Sequence, residues 1–113
     1  MKLFKLQEDL NFTNTAKITS MGETPFSKEI RICMGVDALM KEHKAPAPIT
    51  IELFSGSIEL KSENDTHIMQ EGEIAVFEAN IAHSLFALKN SIIRLSLSKS
   101  DTIQRVQNLI LKG

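Results

Sequence analysis

Short stretches in which apolar and polar residues alternate run through most of this chain. In the first clear stretch, which starts at Lys28, Ile30, Ile32 and Met34 fall on one face and Glu29, Arg31 and Cys33 on the other. A period of two residues is typical of a half-buried β-strand. Similar stretches recur about every ten residues as far as Ser98, with turn-forming residues between them. This spacing predicts an antiparallel sandwich or barrel and disfavours a parallel sheet with crossover helices.

Helical spacing is confined to the two ends of the chain. Leu3, Leu6 and Leu10 predict one short helical turn before a short strand at about residues 16–19. At the other end we expect a helix over about residues 101–111, capped by Ser100 or Asp101 and ending near Gly113. This helix would cover the barrel wall or pack against a second subunit, with its apolar stripe made of Ile103, Val106, Leu109 and Ile110.

Size and composition limit the classes of function. The 113 residues fit a single domain over residues 1–113, with the barrel at about 28–98. A net charge of −1 argues against nucleic-acid binding through bulk positive charge. The single cysteine, Cys33, excludes an intramolecular disulfide. The chain shows neither a secretory signal nor a run of about 20 apolar residues, so we expect a cytoplasmic protein with no membrane partner.

Two histidines, His43 and His83, are the strongest candidates for chemistry. One lies before a predicted strand and the other after a later one. Imidazole is a common ligand of Fe, Mn, Ni and Zn, and it also serves as a hydrogen-bonding contact or a structural residue. His67 follows a turn, so we expect it at the surface or rim, and Cys33 shows no sign of reactivity. No Ser/His/Asp arrangement, phosphate loop or zinc finger is present.

The residues around His43 and His83 resemble the two sequence motifs of the cupin family. In the first motif, counted from Gly35, the two histidine positions hold Lys41 and His43, and the acidic position, counted back from Gly56, holds Ile49. One histidine and the acid are therefore missing. Glu52 does not replace the acid, because it would face away from Ile49 in a strand.

The second motif fits better than the first. Gly72 and His83 have the expected separation. The proline, glycine and asparagine positions of the motif hold Glu78, Asn80 and Ala87. Asn80 is a sensible replacement for glycine, because asparagine tolerates the left-handed conformation that a tight turn can require.

The resemblance implies a small double-stranded β-helix, the cupin jelly-roll barrel, with short terminal helices and a homodimeric assembly. His43 and His83 would meet at its mouth and contact a small-molecule ligand. They are also the expected ligands of a weakly held divalent metal, which would be Fe, Mn, Ni or Zn. Two alternatives stay open: a metal-dependent enzyme of dioxygenase or isomerase type, and a ligand-sensing regulatory module that acts through a protein partner.

Overall fold

The structure is a computed structural model, and it describes residues 1–111. It contains a series of antiparallel strands followed by one helix. The elements are β1 (Lys17–Glu23), β2 (Ser27–Met34), β3 (Leu39–His43), β4 (Ile49–Ser55), β5 (Ile58–Ser62), β6 (Asp65–Met69), β7 (Ile74–Phe77), β8 (His83–Ala87), β9 (Ser91–Ser98) and α1 (Ile103–Leu111).

The strands form two sheets that enclose one core. One sheet has five strands in the order β1-β2-β9-β4-β7, and the other has four in the order β3-β8-β5-β6. Alternate residues of each strand point between the sheets, as in β4, where Ile49, Ile51 and Leu53 are buried. The predicted all-β barrel of two antiparallel sheets is confirmed.

Strand β2 is buried on both faces, so the prediction that it is half-buried is wrong. Ile30 and Ile32 point into the core as expected. On the other face, Glu29, Arg31 and Cys33 are only 3%, 5% and 0% exposed. Part of the cover comes from the N-terminal segment, residues 1–16, whose backbone carbonyls accept hydrogen bonds from Arg31. Alternation in one strand carries no information about a segment that folds over it.

The N-terminal segment contains no helix, so the predicted N-terminal helical turn is also wrong. The carbonyl oxygens of Leu6, Glu8 and Asp9 accept hydrogen bonds from Arg31. Leu3 and Leu10 remain 84% and 40% exposed, so the leucine stripe gains little from burial. Without a buried apolar face, so short a helix is not stable. The short strand expected after it is present as β1.

The expected C-terminal helix is present as α1, but its cap differs from the prediction. Thr102 Oγ1 accepts a hydrogen bond from the backbone N–H of Arg105 at 3.2 Å, which makes Thr102 the capping residue. Asp101, predicted as a cap, accepts the backbone N–H of Thr102 at 2.7 Å and also pairs with the Arg105 side chain. The helix packs against β3 and β1. The expected helix end at Gly113 lies outside the described residues.

No helix within residues 1–111 is long and apolar enough to cross a membrane.

Candidate functional site

His43 and His83 come together at the start of the pairing between β3 and β8. His43 ends β3 and His83 begins β8, and the two residues are direct cross-strand partners beyond an irregularity in β3. Their ring centroids are 4.3 Å apart, with the ring planes at 67°. The fold therefore makes neighbours of two imidazoles that are distant in sequence.

Hydrogen bonds to the backbone set the tautomer of both rings. Nδ1 of His43 lies 2.7 Å from the carbonyl oxygen of Lys41, and Nδ1 of His83 lies 2.9 Å from that of Ile81. A carbonyl oxygen can only accept, so each Nδ1 carries the proton and donates it. In the neutral rings Nε2 is left with the lone pair. Nε2 of His83 is buried and has no hydrogen-bond partner within the described residues.

Both imidazoles are held in their neutral form. Burial lowers the pKa of His43 to about 4, against the opposing effect of its hydrogen bond to Lys41. Burial also lowers the pKa of His83. The Arg105 guanidinium contributes to both shifts, because a positive charge nearby disfavours protonation. At neutral pH the two rings therefore offer nitrogen lone pairs and carry no positive charge themselves.

The cavity beside the two rings is small and mostly apolar. Its volume is about 10 Å³, which is about the space that one water molecule needs. Ile49, at the position of the missing acid, is one of its walls. The other lining residues are Ile32, Met40, His43, Ile51, His83, Leu85, Leu95, Arg105 and Val106.

Helix α1 closes this cavity. Val106 is 1% exposed and lines it together with Arg105. The Arg105 guanidinium is fixed by two bonds to the Asp101 carboxylate, at 2.8 and 2.7 Å, and donates to the carbonyl oxygen of Lys44 at 3.3 Å. The helix was expected to cover the barrel wall or contact a second subunit, and in the structure part of it lies over the histidine pair.

Sequence reasoning missed two residues of the site, Phe77 and Arg105. The Phe77 ring stacks on His83 with a centroid distance of 4.7 Å and an interplanar angle of 22°. Phe77 lies in the predicted strand before His83. The sequence showed that this residue is apolar, but it did not show that its ring packs against His83. Arg105 lies four residues after Asp101, a spacing typical of a helical ion pair, and that pair could have been identified from the sequence.

The turn of the second motif explains how His83 is positioned. Asn80 has a left-handed backbone with φ of 65°, as expected for the residue in the glycine position. Its N–H donates to the carbonyl oxygen of Ala45 at 2.8 Å. This bond ties the loop before β8 to the loop between His43 and β4. Each histidine is therefore held by a local carbonyl and by the link between the two loops.

The other candidate residues lie away from the cavity. Lys41 is exposed and lines a separate surface cleft with Leu39 and Leu109. Glu52 faces outward and contacts Arg94 at 3.5 Å. His67 is exposed, with Nε2 at 3.1 Å from Glu73 Oε1, and Cys33 is fully buried.

The donor set suits a weakly held metal ion better than a permanently bound one. Within residues 1–111, no group of three or more His, Cys, Asp or Glu side chains is placed to hold a metal. The cavity offers two neutral imidazoles but no carboxylate to offset a divalent charge, and Arg105 adds a positive charge. His43 and His83 are the residues that would hold an ion, and solvent or a ligand would have to complete its coordination.

Comparison with solved structures shows which fold this is. An RmlC-like cupin protein from Desulfovibrio desulfuricans matches with a TM-score of 0.78 over 87% of this chain and 96% of that one, at 15% identity. An RmlC-like cupin from Shewanella frigidimarina matches with a TM-score of 0.73 over 88% and 93%, at 12% identity. The SPY1581 protein of unknown function from Streptococcus pyogenes matches with a TM-score of 0.75 over 89% and 90%, at 18% identity.

Comparisons with sequence models of protein families and with curated protein sequences give no match. The identities to the solved structures are low, so these likenesses establish the architecture and not the activity. Together with the two antiparallel sheets and the short helix, they confirm the resemblance seen in the sequence: the chain has the fold of the RmlC-like cupin proteins.

Proposed function

We propose that this chain is a small-molecule-binding protein whose ligand contacts His43 and His83. The observation that carries the proposal is Nε2 of His83, a buried acceptor without a partner in the described chain. An unsatisfied buried polar atom costs about 1–3 kcal/mol, and a ligand that donates a hydrogen bond would recover it. A hydroxyl or amide group on a partly apolar molecule matches the imidazole lone pairs and the aliphatic walls.

Binding of an organic ligand requires α1 to move. The cavity of about 10 Å³ holds a single water-sized guest. Val106 and Arg105 are the residues of α1 that line the space beside the two rings. We therefore propose that the ligand enters as α1 shifts outward and that closure of the helix excludes water from the bound state.

A divalent metal is the second guest that this site would accept, bound weakly through His43 and His83. Iron, manganese, nickel and zinc all bind neutral imidazole. Each ring donates its Nδ1 proton to a backbone carbonyl, which is the arrangement that orients metal-binding histidines. A bound ion would act as a Lewis acid toward a ligand oxygen.

Elemental analysis of tag-free protein tests the metal. The wild type is compared with the double variant His43→Ala/His83→Ala, and His67→Ala serves as the matched control because His67 is exposed and does not line the cavity. We expect substoichiometric metal that disappears in the double variant and persists in the control. Stoichiometric metal would instead favour the enzyme hypothesis. No metal in any of the three proteins, even after incubation with divalent ions, would refute the metal proposal.

Thermal denaturation tests ligand binding with the same variants. A panel of small alcohols and amides is screened for an increase in the melting temperature, which a ligand selective for the folded state must cause. We expect stabilisation of the wild type and of His67→Ala, and none of the double variant. Equal stabilisation of the double variant by the same compounds would contradict a histidine-centred site.

We also propose that the chain forms a homodimer through the β7 edge of the five-stranded sheet. Ile74 and Val76 point outward there and are 59% and 73% exposed, and Phe26 is 85% exposed nearby. Exposed apolar side chains on an unpaired edge strand favour association. Light scattering should show a dimer for the wild type and for Val36→Lys, which alters another exposed valine (52%) outside this edge, and a monomer for Val76→Lys. A dimer that survives Val76→Lys would exclude this edge.

A further inference from the structure

Arg31 carries a buried positive charge that forms no ion pair with an acidic side chain within residues 1–111. It lies on the outer face of β2 and is 5% exposed. Its Nη atoms donate to the backbone carbonyls of Leu6, Glu8 and Asp9. A buried charge is costly unless it is paired, so this environment favours an anionic partner.

The other two arginines show what Arg31 lacks. Nε of Arg94 donates to the Glu29 carboxylate at 2.7 Å, and Nε of Arg105 donates to the Asp101 carboxylate at 2.8 Å. Nε of Arg31 is buried and has no partner within the described residues. Moreover, Arg94 is the direct cross-strand neighbour of Arg31 and is already paired with Glu29 and Glu52. The cross-strand neighbours of Arg31, which are Arg94 in β9 and Thr19 in β1, therefore bring it no carboxylate.

Arg31 also lines a cleft between the N-terminal segment and β1. The cleft has a volume of about 370 Å³, within the usual range for small-molecule sites. Its lining combines the cations of Lys5, Lys17 and Arg31 with the apolar side chains of Leu3, Phe4 and Met21. Thr19 and Ser20 add hydroxyl groups, and Glu8 and Asp9 add two carboxylates that leave one positive charge in excess.

We propose that this cleft binds small organic carboxylates. The carboxylate would pair with Arg31 and the two lysines, and its apolar body would lie against Leu3, Phe4 and Met21. A guanidinium and a carboxylate form strong charge-assisted hydrogen bonds, and the buried Arg31 Nε–H, without a partner within the described residues, is the donor that an entering carboxylate would satisfy. This site is separate from the histidine cavity, since no residue lines both.

Titration with hexanoate, followed by NMR, tests the proposal. The arginine Nε–H resonances of Arg31, Arg94 and Arg105 are observed together, so the two paired arginines act as internal controls. We expect saturable binding with Kd below about 1 mM and a shift of the Arg31 resonance alone. Hexanamide, the neutral analogue, should bind at least about tenfold more weakly, because it lacks the charge that strengthens the hydrogen bonds.

Two variants and one control localise the binding. Lys17→Met, at an exposed position, should weaken hexanoate binding severalfold, and Lys61→Met, an exposed strand lysine of the other sheet, should leave it unchanged. Arg31→Met should abolish binding. If the Arg31→Met variant fails to fold, the Lys17→Met variant still tests the proposal. Absence of hexanoate binding, equal binding of hexanamide, or equal binding of inorganic phosphate would each overturn the proposal. Because His43 and His83 do not line the cleft, failure here would leave the proposed histidine site untouched.

Discussion

The histidine cavity and the Arg31 cleft lie on opposite sides of β2 and differ in nearly every physical property. The cavity lies between the sheets, holds about 10 Å³ and contains two imidazoles kept neutral by burial. The cleft lies outside the five-stranded sheet, holds about 370 Å³ and contains a buried guanidinium. A small, mostly apolar cavity with two neutral imidazoles suits a neutral hydrogen-bonding guest, whereas a charged cleft open to solvent suits an anion. One strand thus separates two environments of different chemistry.

The substitution Gly56→Val should disturb both sites, because it affects the barrel that they share. Gly56 has φ of 102°, and an added Cβ would overlap Ser91 Oγ and lie 2.5 Å from the carbonyl oxygen of Asn90. Ser91 Oγ also accepts a hydrogen bond from the Ser57 N–H at 3.0 Å, which links the turn at Gly56 to the turn before Ser91. We expect a loss of about 2–4 kcal/mol in unfolding free energy, measured by urea denaturation.

Gly72→Val is the matched control for Gly56→Val. Gly72 also has a positive φ, of 91°, but no heavy atom lies within 4 Å of an added Cβ. Backbone strain alone should then cost about 1–2 kcal/mol. Equal losses in the two variants would mean that the contact between Gly56 and the turn at Ser91 does not stabilise the barrel.

The substitution Val106→Ala should affect the cavity and spare the cleft. Val106 is buried against the histidine pair, and removing two carbon atoms should destabilise the protein by about 1–2 kcal/mol. The enlarged cavity should also bind the compounds found in the thermal screen more tightly. Val36→Ala, which truncates an exposed valine, should change neither property. If Val106→Ala behaved like Val36→Ala, α1 would not close the cavity in solution.

The substitution Gly22→Ala should affect the cleft and spare the cavity. Gly22 has φ of 146°, and an added Cβ would lie 2.8 Å from Cε1 of Phe4, a residue of the cleft wall. We expect a loss of about 1 kcal/mol and displacement of the N-terminal segment. Trypsin should then cleave after Lys5 faster than in the wild type or in Gly72→Ala. Unchanged cleavage would show that the Phe4 ring moves aside without releasing the segment.

The sequence predicted features that depend on local patterns and missed features that depend on contacts between distant segments. Alternation depends on neighbouring residues, so the strands and the buried face of β4 were accessible from the pattern, whereas the left-handed turn at Asn80 followed from the family resemblance. The pairing of His43 with His83 was accessible only through the family resemblance. Three features could not be predicted from the sequence. They are the stacking of Phe77 on His83, the position of Arg105 beside the histidine cavity, and the burial of Arg31 under the N-terminal segment. Each joins residues that are close only after the chain has folded, and no local period records such a contact.

The smallest expected effect is a pH dependence that also separates the two sites. The pKa of His43 is about 4 in the folded protein, below its ordinary value, so between about pH 6.5 and 4 the unfolded chain binds a proton that the folded chain does not. The contribution of the neutral His43 to the free energy of unfolding should therefore be fully present above about pH 6.5. It should decrease as the pH falls through this window, and His83 should contribute in the same direction. The Glu29 and Asp101 carboxylates, whose pKa values are lowered by their hydrogen bonds despite burial, should lose their contribution only at lower pH.

Urea denaturation at pH 7, 6 and 5 should show this decrease in stability in the wild type and in His67→Ala, and a weaker decrease in His43→Ala. An unchanged slope in His43→Ala would mean that the His43 imidazole is protonated as easily in the folded chain as in the unfolded one, and the neutral form assigned to this ring would then be wrong.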